Sequence, residues 1–139
     1  MSEDLLRDLV GVVGTTQVLV DGGMRAGFEI DWTRRFGGPS VAVVRPGNLE
    51  EVRSVVSVCA NHRVAIVPQG GNTGLVGGGV PATGAPEGLP TRPVIVSTAR
   101  LDRVRDVDTS SGQVTVEAGV TLASLERHLQ GSGWELGVG

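Results

Sequence analysis

The sequence predicts an α+β unit with a small, mainly parallel sheet, helices against it and one β-hairpin. Three observations carry this. Short apolar runs rich in β-branched residues, Val41 to Val44, Val64 to Val67 and Val94 to Val96, read as buried strands. Between the first two, Val52, Val55, Val56 and Cys59 fall at i, i+3, i+4 and i+7, so strand, helix and strand succeed one another as in a right-handed βαβ crossover. Finally, Val104 to Val107 and Val114 to Ala118 alternate partly in polarity around Thr109-Ser-Ser-Gly112, the pattern of a hairpin.

From the start of the chain, Ser2 suits an N-cap, and Glu3 and Asp4 suit the positive end of a helix dipole. Leu5, Leu6, Leu9, Val10 and Val13 give that helix an apolar face, and it should end near Gly14. Residues 1–14 are therefore read as an N-terminal helix and residues 15–139 as one further unit. No strong period runs from residue 15 to 40, where Gly22-Gly23 and Gly37-Gly38-Pro39 mark turns. After Pro46, Asn48 and Glu51 form a capping-box-like helix start. The strand from Val64 should stop at Pro68, which has no N–H for the ladder. Thr83 to Pro93, rich in Gly and Pro, should cross the surface. A last helix follows, capped by Thr121, with Leu122, Leu125 and Leu129 as its buried stripe and Gly131 as its stop.

Composition excludes several function classes. With 139 residues and 40% hydrophobic content the chain can build one core. A net charge of −3 offers no basic footprint for nucleic acid or an acidic membrane, and Phe28, Trp32, Phe36 and Trp134 are too few for a base-stacking platform. No apolar run has the length of a membrane span, and the acidic Met1-Ser-Glu-Asp start lacks the plan of a signal peptide, so the expected location is cytoplasmic. Cys59, the single cysteine, lies on an apolar helix face and reads as core. His62 and His128 lie near helix C-termini, read as caps, and have no acid or cysteine cluster with which to bind a metal. Arg100, Asp102, Arg103, Arg105 and Asp106 read as a solvated charged face.

The functional signal is the loop after Val67. Six of the ten residues from Gly70 to Gly79 are glycine, which strips side chains from the loop and frees its backbone to press N–H groups against a ligand. Successive amides make a concave anion nest. Neither lysine nor arginine occurs between Arg63 and Arg92, so a diphosphate would be met by backbone dipoles with help from Gln69, Asn72 and Thr73. A Walker loop is excluded because it needs a lysine here. The loose dinucleotide match Gly77-x-Gly79-x-x-Ala82 lies too far past the strand and places Pro81 where a helix should begin.

The stretch Pro68-Gln-Gly-Gly-Asn-Thr-Gly-Leu-Val-Gly-Gly-Gly-Val-Pro81 resembles the pyrophosphate loop of FAD-dependent oxidoreductases of the vanillyl-alcohol oxidase and p-cresol methylhydroxylase type. Within that family it looks most like the branch of D-lactate, D-2-hydroxyglutarate and glycolate dehydrogenases. Asp31-Trp32, Val43-Val-Arg-Pro46, Ser97-Thr-Ala-Arg-Leu-Asp-Arg103 and Val116-Glu-Ala-Gly119 fit the same branch, and the likeness covers roughly residues 15–139. The resemblance implies that residues 15–139 are the first lobe of a two-lobed FAD-binding domain, truncated before its second lobe. It implies FAD held by Pro68, Gln69, Gly70, Gly71, Asn72, Thr73, Gly74, Leu75 and Gly78. Linkage should be non-covalent, because members that attach flavin from this loop carry a histidine where Asn72 stands.

In the intact enzyme a small 2-hydroxy acid would be oxidised to the 2-oxo acid. The resemblance assigns no catalytic residue to this stretch, which by itself should be inactive, and it leaves the electron acceptor open. Trp134, Leu136 and Val138 near the interlobe edge would favour self-association. A stand-alone nucleotide- or phosphate-binding module, or an FAD-linked oxidase of sugars, alcohols or sterols, is the alternative.

Overall fold

The computed structural model describes residues 2–83 and 92–137. Helix α1 (Ser2–Val13) buries Leu5 and Leu9, with Leu6, Val10 and Val13 packed beside them, so the apolar face predicted from its spacing is the face turned inward. The expected Ser2 cap, Val138 and residues 84–91, which hold most of the expected surface crossing, lie outside the description.

A 3-10 turn at Thr15–Gln17 leads into strand β1 (Val18–Leu19), then helix α2 (Gly22–Glu29). This helix corrects the turn expected at Gly22-Gly23. Asp21 starts it, its Oδ1 accepting from the N–H of Gly23 at 2.9 Å and of Met24 at 3.2 Å. None of the α2 side chains is buried, so no apolar period betrays the helix.

Strand β2 (Ala42–Val44), helix α3 (Leu49–Asn61), strand β3 (Ile66–Gln69) and strand β4 (Val94–Ser97) complete the main sheet. Its order is β1-β2-β4-β3, with β1 antiparallel and the rest parallel. The β2–α3–β3 crossover thus skips a position, and β4 takes the gap. All four β4 residues are buried, as a strand with neighbours on both edges requires. Ala42, Val44, Val94 and Val96 face the core made by α1 and α3, where Val55 and Cys59 are fully buried, while Val43 and Ile95 fill the opposite face. Burial pushes the Cys59 thiol up to about 11.

Strand β3 does not stop at Pro68. The N–H groups of Val94 and Thr98 donate to the carbonyls of Ala65 and Gln69 at 2.9 Å, so odd-numbered residues of this segment turn their backbone groups toward β4. Pro68 falls in the other phase, on an edge strand, where its missing N–H costs no ladder bond.

Asn48 caps α3, its Oδ1 accepting from the Glu51 N–H at 2.9 Å, and Glu51 reaches back to the Gly47 N–H at 2.7 Å. Val56 is exposed, so the buried stripe is narrower than its spacing suggests. The helix ends in a Schellman turn: Arg63 adopts φ 55, Val64 N–H donates to Cys59 and Arg63 N–H to Ala60. His62 is the C-cap, and its Nε2 pairs with Asp8 Oδ2 on α1 at 2.8 Å.

The hairpin of β5 (Val104–Asp108) and β6 (Gln113–Val116) forms as predicted. Hydroxyls of Ser110 and Ser111 bond the Asp108 carboxylate and lower its pKa to about 2. In the expected charged face, Arg105 pairs with Glu117 at 2.5 Å, but Arg100 turns inward and donates to the Arg45 carbonyl at 2.7 Å. Helix α4 (Leu122–Leu129) is capped by Thr121, whose Oγ1 accepts from the Ser124 N–H at 3.1 Å. Leu125 and Leu129 are buried, whereas Leu122, in the first turn, is 62% exposed. Gly131 follows at φ 77, as a helix stop requires.

Candidate functional site: an amide-lined cleft

The carboxyl end of β3 opens into a cleft of about 230 Å³ lined by Asp31, Gln69 to Gly74 and Gly77 to Gly79. Of the predicted site residues, Gln69, Gly70, Gly71, Asn72, Thr73, Gly74 and Gly78 meet there. Pro68 stands on the strand below and Leu75 projects into solvent, both outside the lining. Gly77, Gly79 and Asp31 join the wall without having been singled out as ligands. A larger depression of about 700 Å³ at the end of α4 is walled by Glu126, Glu135, Leu129 and Trp134, a combination that repels phosphate.

Among the described residues, no backbone N–H from Gly70 to Gly79 donates a hydrogen bond to the protein. Ten consecutive main-chain donors are thus left to solvent or a ligand. The glycines themselves are mostly not demanded by the fold. Gly77 is: it adopts φ 72, and a Cβ there would lie 2.6 Å from the Phe36 ring. By contrast, a Cβ on Gly74 or Gly78 would meet nothing within 4 Å, and on Gly70 or Gly71 nothing closer than 3.8 Å. None of these four has a positive φ. Side chains would fit there in the protein alone, so the fold does not demand the bare backbone, which stands open to close approach from outside.

Two of the expected polar ligands are already engaged. Gln69, 3% exposed, donates through Nε2 to the carbonyls of Phe28 at 2.8 Å and Gly79 at 2.7 Å. Asn72 adopts φ 54, and its Nδ2 donates to the Ile30 carbonyl at 2.8 Å and more weakly to Gly27 at 3.5 Å. Thr73 is exposed and makes no hydrogen bond among the described residues, so its hydroxyl is free to serve the cleft.

Asp31 is almost fully buried. Burial alone would raise its pKa, but the Thr33 hydroxyl at 2.5 Å and the N–H groups of Phe36 at 3.1 Å and Arg35 at 3.0 Å bond the carboxylate and hold it below the ordinary range. It fixes the turn that carries Arg34 at φ 59 and lays Phe36 against Gly77. In the sequence Asp31-Trp32 stands out only for its fit to the family branch; the Asp-x-Thr spacing is the local signal of its structural role. With Asp31 ionised and no cation among the lining residues, an anion in this cleft would be met by backbone dipoles.

Comparison with known proteins gives this geometry a context. A model of the FAD binding domain matches residues 40–139. A probable mitochondrial D-2-hydroxyglutarate dehydrogenase of Oryza sativa subsp. indica is 33% identical over 123 residues, covering 88% of this chain and 21% of that protein. A putative mitochondrial D-lactate dehydrogenase of Schizosaccharomyces pombe is 27% identical over 141 residues, 96% of this chain and 25% of the relative. Among solved structures, p-cresol methylhydroxylase with substrate bound superposes with a TM-score of 0.73 at 20% identity, covering 94% of this chain and 24% of that one, a likeness of fold. The chain spans about a fifth to a quarter of the length of these relatives.

Proposed function

The chain belongs to the FAD binding domain family, and from that premise we propose that it is the diphosphate-holding first lobe of an enzyme that oxidises a D-2-hydroxy acid to its 2-oxo acid. The observation that carries the cofactor side is the run of undonated N–H groups from Gly70 to Gly79 over glycines with open Cβ space. Amides of Gly70, Gly71, Asn72, Thr73, Gly74 and Gly78 would bond the phosphate oxygens, joined by the Thr73 hydroxyl. Charge-assisted bonds of this kind contribute roughly 1.5–3 kcal/mol each. When bound, FAD supplies the acceptor for the hydride that leaves the hydroxyl-bearing carbon. The substrate class is supported by the D-2-hydroxyglutarate and D-lactate dehydrogenases among the relatives.

Anaerobic mixing of the longer flavoprotein containing this lobe with D-2-hydroxyglutarate, D-lactate and their L-enantiomers tests the reading. Bleaching of the flavin's visible absorption by a D-acid and not by its enantiomer is expected; a flavin left oxidised by both D-acids would reject this substrate class. Flavin should also leave with the supernatant after acid precipitation, because Asn72 offers no nucleophile for a flavin bond and its amide is spent on the Ile30 carbonyl. A pellet that stays yellow would contradict non-covalent binding.

A further inference from the structure

We propose that Gln69 and Asn72 are positioning residues, whose carboxamides latch the C-terminal end of α2 to the diphosphate loop so that the order of this helix sets the affinity for FAD. The inference rests on the FAD reading of the cleft. Helix α2 itself lies outside the cleft wall.

Three of the eight α2 residues, Gly22, Gly23 and Gly27, are glycine, and no α2 side chain is buried. A helix this short is marginal in water even with good helix formers, and each interior glycine weakens it further. Its order must come from tertiary bonds. One set is the Arg25, Glu29 and Ser40 network, in which Glu29 Oε1 accepts from the Ser40 N–H and hydroxyl at 2.7 Å each. A second is the Gly38 N–H, which donates to the Glu29 carbonyl at 3.0 Å beside the Ile30–Gly37 bridge. The third set is the loop. The carbonyls freed at the helix end, those of Phe28 and Ile30, accept from Gln69 Nε2 and Asn72 Nδ2 at 2.8 Å each. Gln69 bonds the Gly79 carbonyl with the same nitrogen, so α2 and both ends of the glycine loop meet at one buried amide. Melting α2 would strand these donors and release the loop, and ordering the loop on a diphosphate would order α2. Local folding and ligand binding are then one linked equilibrium.

Two substitutions perturb α2 from places that make no wall of the cleft. Asp21→Ala removes the N-cap, which lies at the helix end away from the loop. Gly27→Ala adds a methyl with nothing within 4 Å. FAD affinity of the 139-residue chain, titrated at millimolar cofactor by amide NMR, should weaken about two- to fivefold in Asp21→Ala and tighten about two- to fivefold in Gly27→Ala. A gain of affinity cannot be produced by misfolding. In an Asn72→Gly background, which keeps the positive φ while removing one of the two latching amides, both effects should shrink, with the part carried by Gln69 remaining. Hydrogen exchange without any cofactor gives an independent readout: Asn72→Gly should speed exchange of the α2 amides and leave α3 and β4 protected.

Unchanged α2 exchange in Asn72→Gly, or equal FAD affinity in Asp21→Ala, Gly27→Ala and wild type, would overturn the latch while leaving the FAD site standing. A wild-type chain whose loop amides do not respond to FAD would refute the FAD reading, and the latch as a determinant of affinity with it.

Discussion

Gly71→Val is expected to weaken FAD binding by the longer flavoprotein containing this lobe about a hundredfold or more, the loss of one or two charge-assisted hydrogen bonds at roughly 1.5–3 kcal/mol each, while moving the Tm of the 139-residue chain by no more than about 2 °C. The two halves of this expectation have separate causes. Within the protein, a Cβ on Gly71 meets only the Thr73 methyl at 3.9 Å, and the backbone is not left-handed, so the fold can accept a side chain. In the complex, a β-branched side chain would occupy the volume through which the diphosphate reaches the loop amides and would stiffen the backbone that must fit it. Thr73→Ala should be milder, costing one bond of roughly 0.5–3 kcal/mol. Isothermal titration of the longer flavoprotein with FAD and thermal unfolding of the 139-residue chain without it give the two numbers. Equal losses of affinity and stability would show that Gly71 is a folding glycine.

Gly119→Ala should do the reverse, destabilising the chain by about 3 kcal/mol and lowering its Tm by roughly 10 °C. A Cβ at Gly119 would stand 2.0 Å from the Thr98 carbonyl oxygen and 2.8 Å from that of Leu101, both main-chain atoms that cannot swing away. Here the segment after the hairpin docks on the exit of β4: Gly119 N–H donates to Leu101 at 2.8 Å, and the Thr98 hydroxyl donates to the Ala118 carbonyl at 3.2 Å. Thr98 Oγ1 also lies 3.8 Å from where a Cβ on Gly70 would stand, so displacing Thr98 disturbs the support behind one cleft residue. Circular dichroism melts of Gly119→Ala beside Gly74→Ala, where nothing lies within 4 Å, separate a packing glycine from an open one. Indistinguishable melts would mean that this close approach contributes nothing to stability.

The contrast between Gly71 and Gly119 also marks what can be read from residues alone. Both look like glycines in a glycine-rich chain, and only the coordinates of their neighbours tell a ligand surface from a backbone collision. Helices with an apolar stripe, α1 and α3, were legible because burial imposes a period. Helix α2 was not, because it buries nothing and is held by Asp21, Arg25, Gln69 and Asn72, contacts that leave no period. The continuation of β3 through Pro68 depends on which edge of the strand is paired, and the insertion of β4 between β2 and β3 depends on a partner 25 or more residues away in the chain. The loop was legible as an anion site because glycine content and missing cations are properties of composition. The engagement of Gln69 and Asn72 elsewhere was not, since an exposed-loop amide and a structural amide have the same formula. Val56 and Leu122 show the smaller error: an apolar residue in register is permitted to face inward, not compelled to.

The most direct measurement is an amide NMR titration of the ¹⁵N-labelled chain with FAD, ADP and riboflavin in parallel. ADP carries the diphosphate without the isoalloxazine, and riboflavin the isoalloxazine without any phosphate. If the ten free N–H groups hold the diphosphate, FAD and ADP shift the amides of Gly70 to Gly79 alike and riboflavin leaves them in place. Shifts with riboflavin but not ADP, or a loop indifferent to both phosphate ligands, would contradict it.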